Sequence, residues 1–202
     1  MQPQSEMSEH RVLRLGVLGS GRGSNFEAIC RAIDRQTLHA EIGAVLSDQP
    51  DARILELGRQ CGARTECIVP STPRGRLDAG TEEKYVGVLR EENVDLVVLA
   101  GFMRIVGPVF LAAFPRRIIN IHPSLLPKHR GSDAAAQALA AGDKVTGCTV
   151  HHVDAGIDTG EIIAQREVPV QPGDTAETLQ ARIQTAEHEL LPAVIATFAP
   201  HE

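Results

Sequence analysis

A mostly parallel, doubly wound α/β sheet is the fold that this chain of 202 residues predicts. Three observations carry the prediction. Short apolar runs alternate with segments of helical spacing through the first half of the chain, the pattern of repeated strand–helix–strand units. One run, VDLVVLA at 94–100, is apolar almost throughout, as a strand buried on both faces must be. Aromatic residues are scarce (five Phe, one Tyr, no Trp), so the core has to come from Val, Ile, Leu and Ala, the residues of buried parallel sheets.

The elements follow in order. Residues 11–19 read as the first strand, with Val12, Leu13, Leu15, Val17 and Leu18 as its apolar positions. A Gly-rich turn leads into a helix from about 25 to 35. A second strand spans 40–47, a helix carrying Ile54, Leu55 and Leu57 spans 51–61, and a third strand spans 64–69. The stretch 70–80 is a polar loop with two Pro and two Gly. A helix at 81–92 precedes the central strand at 94–100. A short helix at 108–113 and a fifth strand at 117–121 complete the alternating half. The rhythm then changes. An Ala-rich helix covers 132–141, two strands at 147–153 and 161–168 are close enough to pair antiparallel, and a long helix covers 174–198 with Thr175 in its cap region. No internal repeat or linker interrupts the chain. The expectation is one Rossmann-like domain over 11–202, parallel in its first half and mixed in its second, with helices on both faces and a frayed tail at 1–10.

Composition narrows the class. Hydrophobic content of 43% and charged content of 23% suit a soluble globular protein. A net charge of −6 with no block of Lys or Arg argues against a nucleic-acid surface. No apolar run approaches a membrane span, and 1–10 is too polar for a signal peptide. Cys30, Cys61, Cys67 and Cys148 form no C-x-x-C pair and read as reduced thiols of a cytoplasmic protein, with Cys148 as a small buried hydrophobe. No His/Cys/Asp cluster has zinc spacing, so no metal is expected.

The turn Gly19-Ser20-Gly21-Arg22-Gly23-Ser24-Asn25 lies between a strand and a helix. Glycine lets backbone turn sharply and approach a ligand, and a helix N-terminus offers free N–H groups, so the turn favours a phosphate. It is not a Walker A loop, because no Gly-Lys-Ser/Thr closes it, and Phe26 stands where a dinucleotide fingerprint needs its third Gly. Asp48, at the end of the second strand, is a carboxylate that could hold a ribose.

The strongest chemical signal is NIHPSLLPKHRG at 120–131, read with DAGIDTGEI at 154–162. Asn120 and His122 are two apart at the end of an apolar strand, so their side chains leave on one face and can converge on one ligand. An imidazole titrates near neutrality and can move a proton, and an amide can donate to a developing oxyanion. Asp158, in a Gly-flanked loop, is the carboxylate that would favour the charged ring. Pro123 separates Ser124 from its only nearby base, so Ser124 reads as structural. His151 and His152 are adjacent in a strand, point to opposite faces, and read as structural too.

These segments resemble the folate-dependent formyltransferases. The match includes LGSGRGSN near the start, VLAGFMRIV in the middle, NIHPSLLPKHRG, GCTVHHVDAGIDTGEIIAQREVPV, and RIQTAEHELLP near the end, and it spans nearly everything after residue 12. GRGSN and AEHELLP narrow the resemblance to the branch whose acceptor is glycinamide ribonucleotide.

The resemblance implies a formyl transfer from 10-formyltetrahydrofolate, as co-substrate, to the amine of glycinamide ribonucleotide in purine (IMP) synthesis. It implies that Asn120, His122 and Asp158 are catalytic, that Gly23, Ser24 and Asn25 hold the ribonucleotide phosphate with Glu187 on the same substrate, and that Met103, Arg104, Ile105, Val106 and Asn120 line the folate pocket. The phosphate-binding half would be about 11–100 and the folate half about 101–202. Small-molecule substrates, no nucleic acid, no membrane, and a monomer or homodimer complete the expectation. One departure stands out. The family often has a cofactor-contacting Arg just before the helix that carries Tyr85. This chain has Glu82 or Glu83 near that position, with Arg74 and Arg76 earlier in the loop, so that contact has no assigned residue. Three rivals frame the reading. A formyltetrahydrofolate hydrolase would be expected to carry an N-terminal regulatory domain. A methionyl-tRNA formyltransferase would be expected to carry a basic C-terminal domain. A non-catalytic nucleotide-binding module would leave His122 structural.

Overall fold

The computed structural model describes residues 11–72 and 75–199. The expected tail at 1–10 and Arg74 lie outside them. Among the described residues, seven strands form one sheet: β1 (Leu13–Leu18), β2 (Ala40–Ser47), β3 (Arg64–Cys67), β4 (Leu96–Leu99), β5 (Ile118–His122), β6 (Val145–His152) and β7 (Ile162–Pro169). Their order is β3-β2-β1-β4-β5-β6-β7. The first five pair in parallel, and β6 pairs antiparallel with both β5 and β7. The mixed sheet expected from the change of rhythm is therefore present. The described residues also form six helices, the first five between strands and the last after β7: α1 (Ser24–Asp34), α2 (Arg53–Gln60), α3 (Ala79–Glu91), α4 (Pro108–Ala113), α5 (Ala134–Ala140) and α6 (Ala176–Ala196).

Side-chain alternation divides the core into two layers. Leu13, Leu15 and Val17 of β1, with Leu96 and Val98 of β4 and Ile119 and Ile121 of β5, face α1, α2, α5 and α6. Leu18, Leu46, Val97, Leu99 and Ile118 face α3 and α4, where Tyr85 and Phe110 are fully buried. A strand covered on both faces can be apolar at every position, which is why β4 reads as LVVL.

The connectivity fixes where a ligand can enter. From β1 the chain turns to β2 on one side, and β4 lies on the other. The loops after β1 and β4 therefore diverge and open a crevice at the carboxyl ends of the strands, the usual binding place in open α/β sheets. Asn120 and His122 lie at that same end of the neighbouring β5.

Caps explain where helix boundaries depart from the periodicity. The helix expected from 81 starts at Ala79, because the Asp78 carboxylate accepts from Thr81 N at 2.9 Å and satisfies an orphan donor. Thr175 caps α6 as expected, in a reciprocal arrangement with Thr178. The sixth strand begins at Val145 rather than 147, drawn into the ladder by pairing with Pro169 and Val168 of β7. Cys148 is fully buried, and the four cysteines are free, with Cys30 Sγ 3.3 Å from Cys61 Sγ. Among the described residues, no helix is long and apolar enough to cross a membrane.

Glu82 has a structural task that its sequence position does not advertise. Its side chain is buried and turned toward α4, where the carboxylate accepts from the backbone N–H groups of Gly107, Val109 and Phe110. A negative charge at a helix N-terminus satisfies donors that the helix cannot, so this position serves α4 rather than the crevice. Replacing Glu82 with Ala should therefore cost roughly 2–3 kcal/mol of stability, the scale for buried donors that lose a charged acceptor. Urea denaturation of the variant checks this, and an unchanged midpoint would refute the anchoring role.

Candidate active site

A cavity of about 600 Å³ occupies the crevice. Its walls are the Gly-rich turn after β1, the 101–106 segment after β4, the end of β5, the loop between β6 and β7, and one face of α6. Every residue expected at the site borders it: Gly23, Ser24, Asn25, Met103, Arg104, Ile105, Val106, Asn120, His122, Asp158 and Glu187.

One end of the cavity is the start of α1. Gly23 is the N-cap, in the left-handed region with φ 76°, and a Cβ there would sit 3.0 Å from Leu57 and 3.1 Å from Ile54. Only glycine meets both the angle and the close packing on α2 without strain. Among the described residues no side chain caps this helix, so the first N–H groups of a helix start that borders the cavity lack a capping partner. Asn25 donates from Nδ2 to Glu187 Oε2 at 2.9 Å, while its Oδ1 is buried without a partner among the described residues. Burial pushes the Glu187 carboxyl above its ordinary pKa, only partly offset by that Asn25 bond. Gln184 and Gln180 continue the same face of α6 along the wall.

The other end is built around Asp158. Asn120 sits in β5 opposite His151 of β6, and the antiparallel register brings Asn120 Nδ2 to 3.1 Å from His151 Nε2. Asp158 reaches over from the β6–β7 loop. Its Oδ1 lies 3.4 Å from Asn120 Nδ2 and 3.5 Å from His151 Nε2, and its Oδ2 lies 3.4 Å from His122 Nδ1 and accepts from Gly131 N at 2.9 Å. The loop is organised for that reach. Asp154 Oδ1 accepts from Gly156 N and from the Thr159 hydroxyl, and Asp158 adopts φ 51°, a left-handed conformation that Asp tolerates better than most residues. Gly160 closes the base of the loop, since a Cβ there would lie 1.8 Å from the His152 carbonyl oxygen.

The buried His122 is held between two acceptors. Nε2 is 2.8 Å from the His129 carbonyl and Nδ1 faces the Asp158 carboxylate. Only the doubly protonated ring donates to both; a neutral ring sets a lone pair against one of the oxygens. Burial alone would push Asp158 up, but the His151 ring, the Gly131 N–H and the His122 charge together hold it below the usual carboxylate value.

Two sequence expectations change here. His151, expected to be only structural, is buried but also borders the cavity and touches both Asn120 and Asp158. Asp48 is not free to hold a ribose, because its side chain has no exposed surface and pairs with Arg104, Nε to Oδ2 at 2.7 Å. Ser124 is structural as expected, its hydroxyl donating to the Lys128 carbonyl at 2.6 Å.

The formyl transferase family matches residues 13–195. The chain belongs to that family. It is 41% identical over 182 residues to the phosphoribosylglycinamide formyltransferase of Bacillus subtilis, which covers 90% of this chain and 92% of that protein. It is 40% identical over 187 residues to the trifunctional purine biosynthetic protein adenosine-3 of Homo sapiens, which covers 93% of this chain and only 18% of that much longer protein. The crystal structure of glycinamide ribonucleotide transformylase 1 from Symbiobacterium toebii superposes with a TM-score of 0.89 at 42% identity, over 98% of this chain and 92% of that one. This formyl transferase shares the overall fold of that solved structure.

Because the folded-state pKa of Asp158 is depressed, its ionisation stabilises the fold above about pH 4, where the unfolded group is also ionised, and that contribution is lost as pH falls through the folded value. His151→Phe removes one of the groups holding Asp158 down, so the Asp158 pKa should rise in the variant. A carboxyl-carbon NMR titration reads this directly; an unmoved Asp158 signal would remove His151 from the network.

Proposed function

We propose that this formyl transferase moves the formyl group of 10-formyltetrahydrofolate to the amine of glycinamide ribonucleotide, a step of purine synthesis, in the cytoplasm. The observation that carries the reading is the meeting of Asn120, His122 and Asp158 in a cavity whose far end is the uncapped start of α1.

The fit can be followed residue by residue. A phosphate suits the free N–H groups around Gly23, Ser24 and Asn25 and the positive end of the helix dipole. Glu187 and the unpartnered Asn25 Oδ1 are acceptors, which suits the hydroxyls of a ribose. Met103, Ile105 and Val106 present an apolar wall for the flat ring of the donor, with Met103 71% exposed and therefore available for contact.

The amine nitrogen attacks the formyl carbon, a C–N bond forms, and the carbonyl oxygen gains negative charge. Asn120 and the imidazolium of His122 donate to that oxygen. The Asn120–Asp158 contact is long at 3.4 Å, so its N–H turns to a stronger acceptor at little cost. His122 exchanges the His129 carbonyl for the substrate oxygen through Nε2 and keeps Nδ1 against Asp158. Collapse breaks the bond to the folate nitrogen, which takes up one proton while the former amine gives one up, and His122 is the group placed to carry it. No nucleophilic side chain is needed, in keeping with the occupied hydroxyl of Ser124.

The test follows loss of the folate formyl group by difference absorbance, with the ribonucleotide present and then omitted. Turnover that requires the ribonucleotide is expected; deformylation without it would replace transfer by hydrolysis, and no turnover in either case would leave a binding module. His122→Ala should lower kcat by a factor of about 10² to 10⁴ while circular dichroism stays that of the parent, the range for a lost acid–base and oxyanion group. Retained activity in that variant would end the catalytic assignment.

A further inference from the structure

We propose that Asp48 is a positioning residue: it locks the donor-side wall of the cavity, 101–106, to the turn that holds the acceptor. This rests on the transfer reading above. Neither Asp48 nor Ser20 borders the cavity, whereas Met103 and Arg104 do. Asp48 therefore acts through them and not by touching a substrate.

The connections run through one carboxylate. Asp48 Oδ1 accepts from the Ser20 hydroxyl at 2.5 Å, and Oδ2 accepts from Arg104 Nε at 2.7 Å and from Gln49 Nε2 at 2.9 Å. Ser20 Oγ in turn accepts from Met103 N at 2.8 Å, and Ser20 N donates to the Gly101 carbonyl at 3.0 Å. Arg104 also donates from Nη1 to the Thr72 carbonyl at 3.0 Å. The first half of the wall is thus fixed at Gly101, Met103 and Arg104, each through Ser20 or Asp48. The second half has separate ties, Leu77 N to the Ile105 carbonyl and Arg76 Nη1 to the Val106 carbonyl.

The Asp48–Arg104 pair is nearly dry, with side-chain exposures of 0% and 7%. Such a pair gains little over apolar residues of the same volume, because desolvation offsets the attraction. What it adds is direction. A bare Arg104 guanidinium would swing toward the nearest carboxylate or into the cavity, and Met103 would lose the oriented hydroxyl that receives its N–H. Because Ser20 belongs to the turn after β1 and Arg104 to the loop after β4, the two lips of the crevice share a single anchor.

The experiment compares the parent enzyme with D48N in steady-state kinetics, varying donor and acceptor separately. The amide keeps the volume and can still accept from Ser20, but it turns an N–H₂ toward Arg104 and breaks the pair. The donor KM should rise about tenfold, the scale of one lost charge-assisted hydrogen bond, with kcat and the acceptor KM within about twofold. D48N placed on R104M should add no further rise, because the partner is already gone. If D48N does not fold, S20A tests the same anchor and should raise the donor KM in the same sense with the melting temperature little changed. An unchanged donor KM, a parallel loss in all three parameters, or a full added effect on R104M would overturn the assignment. A parent enzyme that does not use the donor would instead sink the transfer reading, and this inference with it; the parent and variant measurements tell the two failures apart.

Discussion

The site depends on keeping one carboxylate, Asp158, ionised in a setting that is partly out of water. An unpaired buried charge would take up a proton, so the groups around it have to be donors. That requirement accounts for the arrangement. Gly131 offers a backbone N–H, His122 an imidazole Nδ1, and Asn120 and His151 side chains from two paired strands. The order of β5 and β6 in the sheet is thereby tied to the protonation of a loop residue several strands from the Gly-rich turn.

The parallel half solves a different problem. An anion needs backbone N–H groups that no other part of the protein uses, and the start of α1 leaves them because nothing caps it. The strand order then puts that helix start, the wall after β4 and the end of β5 along one crevice. The Gly-rich turn after β1, the end of the parallel strand β5 and the loop between the antiparallel strands β6 and β7 all border that one cavity.

Much of this was legible in the chain. The apolar runs, the Gly-rich turn, the two-residue spacing of Asn120 and His122, and the Gly-flanked Asp158 are local signals, and each expected residue borders the cavity. What was not legible depends on partners distant in sequence. Alternation correctly put His151 and His152 on opposite faces, but only the antiparallel register sets His151 opposite Asn120. Asp48 looked available for a ribose because Arg104, which neutralises it, belongs to another loop. Glu82 looked like a replaced cofactor contact because nothing nearby shows that α4 starts against it. Helix ends moved for the same reason: caps such as Asp78 override periodicity.

The loop that carries Asp158 is pinched shut at its base and open at its tip. Gly160 lies against the His152 carbonyl, whereas Ile157 is half exposed. Mutational drift is therefore partitioned within a few residues. The exposed side chain of Ile157 can change size and polarity at the mouth of the cavity, outside the hydrogen bonds that hold Asp154, Gly156 and Thr159. At the neck, a single added methyl group displaces the carboxylate.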